Sequence, residues 1–149
     1  MVVRGAVAGD PGAAGVTPPM LDRPRVAVIN DSERFKTAIQ RALERDGYDA
    51  PRFRAGIGVH EVVRALAPAA IAIDIACDGV DRHWRTLEAL VDDPVLVDVP
   101  IVLSVAEVPT GDRHRTLLLR AGLVLLHHPV TAREIVRAVR DMLAMYGAP

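Results

Sequence analysis

Short apolar runs recur along this chain at intervals filled by helical patterns, and that alternation limits the fold more than any other feature. Val26-Ala27-Val28-Ile29, Ile71-Ala72-Ile73-Asp74-Ile75, Ile101-Val102-Leu103-Ser104-Val105 and Leu123–Leu126 are each nearly continuous in hydrophobic residues. Strands that read this way are buried on both faces, not half-solvated. Residues 48–55 form a weaker candidate, interrupted by Pro51, Arg52 and Arg54, and suit an edge. Between the runs, apolar residues fall at helical spacing. Phe35, Ala38, Ile39, Ala42 and Leu43 make one face, introduced by Asn30-Asp31-Ser32 and closed at Asp46-Gly47. Shorter helices are expected around Val59–Leu66, Trp84–Val91 and Arg113–Ala121. A last helix from about Thr131 uses Ile135, Ala138, Val139, Met142 and Leu143. Five strands alternating with five helices predict an α/β domain with a parallel sheet covered on both faces.

Composition narrows the function classes. The 149 residues include 18 basic and 19 acidic ones, a net charge of -1, which argues against nucleic acid or an anionic membrane as the main partner. Cys77 is the single cysteine, so an internal disulfide and a cysteine-cluster metal site are excluded. There is no run of eighteen apolar residues, and Met1–Met20 lacks a secretory core, so a cytoplasmic location is expected. Residues 1–24, rich in Gly, Ala, Val and Pro, read as a flexible tail, and residues 25–146 as the domain. Of the basic residues only Lys36 is a lysine. The arginines of 113–120 and 133–140 read as solvated helix faces that weakly suggest an acidic protein surface.

Ligands of parallel α/β sheets bind beyond the carboxyl ends of the strands. Here those ends carry Asn30 and Asp31, Asp74, Ser104, and His127-His128. The histidines, with His83 and His114, lack chelating spacing. Asn30 and Asp31 also suit a helix cap, Ser104 an ordinary strand serine, and Cys77 a small buried filler.

Taken in order, Val28-Ile29-Asn30-Asp31, Asp46-Gly47-Tyr48, Pro68–Ile75, Val99–Ser104, Arg120-Ala121-Gly122 and His128-Pro129 resemble the CheY-like receiver domain of two-component response regulators, over about residues 25–145. The resemblance implies a flavodoxin-like (βα)5 doubly wound parallel sheet with strand order 2-1-3-4-5. It places Asp74 at the phospho-acceptor position. Asp31, Asp74 and the carbonyl of Ala76 fall at the Mg2+ positions, and Ser104 is the switch hydroxyl. Asn30 replaces one acid of the family's pair. His128, followed by the retained Pro129, replaces its lysine, and Leu125 its aromatic switch. A histidine is shorter than lysine and carries no fixed charge. These departures imply a weakened Mg2+ site and weak or absent phosphorylation. The expected role is that of a stand-alone, non-enzymatic pseudo-receiver. It would act by protein–protein contact through the fourth helix, fifth strand and fifth helix, with a histidine kinase, a downstream target or a second copy as partner. The alternative is a small ligand-binding or enzymatic flavodoxin-like domain using the strand-end cleft. Gly56-Ile57-Gly58 lacks a full phosphate-loop pattern, and Ser104 lacks a nucleophile elbow.

Overall fold

The computed structural model describes residues 23–76, 80–108 and 111–146. The tail through residue 22, Cys77 and Pro109 lie outside the described residues. The elements alternate strictly: β1 (Val26–Ile29), α1 (Glu33–Arg45), β2 (Arg52–Phe53), α2 (Val59–Leu66), β3 (Ala70–Ile75), α3 (Val80–Asp92), β4 (Ile101–Val105), α4 (Asp112–Leu118), β5 (Leu123–His127) and α5 (Ala132–Tyr146). All strand pairings are parallel and the order is β2-β1-β3-β4-β5. This is the flavodoxin-like (βα)5 arrangement that the resemblance implies.

The period of two along each strand splits the apolar residues between two cores. Ala27, Ile29, Ile71, Ile73, Leu103 and Val105 face one side, where Val63 of α2 and Trp84, Leu87 and Leu90 of α3 cover them. Val26, Val28, Ala70, Ala72 and Val102 face the other, beneath Ile39 and Leu43 of α1 and Ile135, Val139 and Met142 of α5. A strand with both faces covered must be apolar at every position, which explains the unbroken runs.

Local chemistry sets the boundaries. Ser32 Oγ accepts a hydrogen bond from the Phe35 amide at 3.2 Å and caps α1. After Asp46, Gly47 takes φ +94°, and the amides of Gly47 and Tyr48 return to the carbonyls of Glu44 and Leu43. Thr131 and Glu134 exchange hydrogen bonds at 3.0 and 3.1 Å, a capping box that starts α5. The weak second strand contracts to two residues at the sheet edge, because Pro51 has no amide to donate. β5 runs one residue further than its apolar run, to His127, and α4 stops at Leu118.

Candidate functional site

Strand register brings the first pair of site residues together. Asp74, next to last in β3, is directly opposite Ser104 of β4. Both follow the parity of Ala72 and Val102 and so lie on the α1/α5 side of the sheet. Ser104 Oγ donates to Asp74 Oδ1 at 2.7 Å. The loop after β5 adds His128, whose Nε2 lies 2.6 Å from the same oxygen. Its backbone amide is tied to the Val105 carbonyl, and its bond to Pro129 is cis. Asp74 is only 8% exposed, and two donors converge on Oδ1. Its Oδ2 has no hydrogen-bond partner among the described residues.

The first strand end is organised separately. The buried Asn30 turns its Oδ1 back to the Ser32 amide at 2.8 Å, and its Nδ2 has no partner among the described residues. Asp31 points toward α3. Its Oδ1 accepts from the Ala55 amide at 3.1 Å, while Oδ2 accepts from Arg82 and from His83 Nε2. His83 is 1% exposed and its Nδ1 accepts from the Ala76 amide at 3.2 Å, which puts the ring proton on Nε2, aimed at Asp31. Arg82 also donates to the Ala55 carbonyl at 2.8 Å, and Thr86 Oγ1 joins the Arg82 carbonyl to the Gly56 amide. Partial burial opposes ionisation of Asp31, but the hydrogen bonds from His83, Arg82 and the Ala55 amide outweigh it and hold its pKa at about 2.

A cleft of about 640 Å3 lies over these groups, lined among others by Asn30, Asp31, Asp74, Ala76, His128 and Pro129. Leu125 is not part of it. It packs with the core on the α2/α3 side, across the sheet from Asp74 and Ser104. His127 is exposed, and His114 stacks at a tilt on Trp84 with centroids 4.3 Å apart. Lys36 is buried and paired with Glu33 at 2.8 Å.

Mg2+ requires several oxygens directed at one point. Here both Asp31 oxygens are occupied by nitrogen donors, the Asn30 oxygen by a backbone amide and Asp74 Oδ1 by two side chains. As arranged, this donor set does not fit a divalent ion. Among the described residues no group of three or more His, Cys, Asp and Glu side chains is placed to hold a metal.

Arg82 is the residue that sequence reasoning missed. One signal was available: a guanidinium in the first turn of a helix opposes the helix dipole, so its position calls for another explanation.

No protein-family model and no curated sequence matches the chain, and the likeness to known proteins lies in structure. The chemotaxis response regulator CheY4 of Vibrio cholerae superposes with a TM-score of 0.64 at 14% identity, over 81% of this chain and 99% of that one. A response regulator receiver protein from Sinorhizobium medicae gives 0.65 at 15% identity, over 83% and 97%. The N-terminal domain of a response regulator receiver protein from Methanoculleus marisnigri gives 0.55 at 25% identity, over 80% and 96%. The order of strands, the placement of Asp74 at a strand end and these superpositions agree: the chain has the CheY-like fold of response-regulator receiver domains.

Proposed function

We propose that the chain is an atypical receiver domain of two-component signalling that works by binding a protein partner, with Asp74 at the acceptor position and phosphorylated weakly or not at all. The observation that carries this reading is the Asp31–Arg82–His83 cluster. For phosphoryl transfer, an Asp74 oxygen must attack phosphorus as the donor's leaving oxygen departs, and positive charge must balance the equatorial oxygens. In this pocket Arg82 is held on Asp31, so Mg2+ has to displace a guanidinium to bind there. Its binding is accordingly weak. His128 sits on Asp74 itself and supplies a hydrogen bond where the family has a fixed charge.

Partner binding fits the face made by α4, β5 and α5. No residue of α4 is buried, and Leu119 just beyond it is 78% exposed. A histidine kinase, a downstream target or a second copy are the partner classes. The receiver-domain neighbours, among them the beryllofluoride-activated NtrC receiver domain, support the signalling role. No helix among the described residues is long and apolar enough to cross a membrane.

The test is intact-mass spectrometry after incubation with Mg2+ and a small acyl phosphate, on wild type, Asp74→Ala and Arg82→Ala. We expect little or no phosphoryl adduct on wild type under conditions that modify an ordinary receiver. Arg82→Ala should gain one. A full adduct on wild type that Asp74→Ala abolishes would overturn the weak-phosphorylation reading and leave an ordinary phospho-receiver.

A further inference from the structure

On the opposite side of the sheet from α3, helices α1 and α5 lie against one another, and the groove along their outer surfaces has a volume of about 710 Å3. Its walls are arginine: Arg41 and Arg45 from α1, and Arg133, Arg137 and Arg140 from α5. The spacings of four within α1, and of four and three within α5, put each set on a single helical face, and all five side chains are exposed. The floor is small and apolar, made by Ala38, Ala42, Ala132 and Val136. Among the described residues one carboxylate lines the groove, that of Asp46, and it pairs with Arg140 at 3.3 Å. Among the described residues no carboxylate pairs with Arg41, Arg45, Arg133 or Arg137.

A chain with a net charge of -1 thus concentrates five guanidiniums around one cleft. Helix stability asks for only one of them, Arg45, which suits the carboxyl end of α1. Like charges a turn apart repel, and Arg133, in the first turn of α5, works against the helix dipole. Arginine is the side chain suited to gripping carboxylates two oxygens at a time.

We propose that this groove is a docking site for an acidic segment of a partner protein, rich in Asp and Glu with small apolar residues between them. Its carboxylates pair with the arginines and its small side chains rest on the alanine and valine floor. Nucleic acid fits less well, because among the described residues no aromatic side chain lines the groove to stack a base. A second copy fits poorly too, since a two-fold contact would set arginine face against arginine face. The groove residues differ from those that line the acceptor pocket, and the groove shares α5 with the α4–β5–α5 face, approached there from the α1 side; it stands whether or not Asp74 is phosphorylated.

The test is fluorescence anisotropy of the full chain with a dye-labelled peptide of Glu and Ala, beside a labelled single-stranded oligonucleotide of equal charge. Saturable peptide binding that weakens with added salt is expected. The double variant Arg41→Glu/Arg137→Glu should lose roughly tenfold or more in affinity, while Arg85→Glu, an exposed site on α3, should bind as wild type does. Circular dichroism checks that the variants fold. The proposal is overturned by absent or unsaturable peptide binding, by equal loss in Arg85→Glu, or by undiminished binding in the double variant. Tighter binding of the oligonucleotide would also overturn it, as would sedimentation showing self-association that the double variant abolishes.

Discussion

Asp31 shows how a side chain can keep its position in a fold while its chemistry is redirected. Its sequence neighbours suit it to a helix cap or an acidic pocket, yet its side-chain partners come from α3, which follows some fifty residues later. Its folded pKa of about 2 lies below the ordinary value of 3.8, so its ionised form stabilises the native state above the ordinary value. That contribution is lost as pH falls through the window from 3.8 to about 2. With allowance for solvent screening of a partly exposed group, it amounts to roughly 1–2 kcal/mol. Urea unfolding of wild type and Asp31→Asn should therefore differ by about that much near neutral pH, with the gap closing on acidification toward the lower end of the window. A gap that is constant with pH would show that the carboxylate's charge does not matter there.

Helix and strand ends make up the next level. Two helix starts obey side-chain rules readable in the sequence, Ser32 before α1 and the Thr131–Glu134 box before α5, whereas α2 and α4 begin at Gly58 and Gly111 without a side-chain cap. The end of α2 departs from such rules too: Ala67 takes a left-handed conformation, φ 50° and ψ 60°, without being glycine. That conformation costs an L-residue about 1–2 kcal/mol, while glycine's extra freedom in the unfolded chain costs up to about 1 kcal/mol. Ala67→Gly should then raise stability by about 0.5 kcal/mol, read as a small rise in the unfolding midpoint at unchanged denaturant slope. A loss of stability would mean that the alanine methyl makes a contact worth more than the strain. The second strand illustrates the reverse case. Its composition promised little, and it forms a strand only over Arg52 and Phe53, with Asp49 and Pro51 accepting from the amides of Val26 and Val28 ahead of it, enough to close the edge beside β1.

Across the molecule, the central strands β1, β3 and β4 tie both helical layers together, and their inward side chains are almost wholly buried. Leu103, at the middle of β4, is 0% exposed in the α2/α3-side core, so Leu103→Ala should cost about 3–4 kcal/mol. Trp84, the chain's only tryptophan, lies in the same core and reports on it directly. Its fluorescence and the far-ultraviolet dichroism should fall in one coincident denaturant transition, for the wild type and for the variant. Separate midpoints would mean that the two layers unfold independently.

The local code was sufficient for the alternation of strands and helices and the parallel sheet, and it put Asn30, Asp31, Asp74, Ser104 and His128 at or just beyond strand ends. Burial on two faces demands continuous apolar strands, and strand ends expose whatever polar residues follow them. Boundaries moved by a few residues, since the starts of α3 and the length of β5 depend on what packs beside them. Tertiary structure alone decided which polar groups meet. Parity and register set Ser104 against Asp74 while sending Leu125 to the other face, because one residue along a strand reverses a side chain. The docking of α3 gave Asp31 a guanidinium, and the pairing of α1 with α5 gathered five arginines from residues nearly a hundred positions apart. Charges that are distant in sequence interact only when packing removes the water and distance between them, and no local pattern encodes that distance.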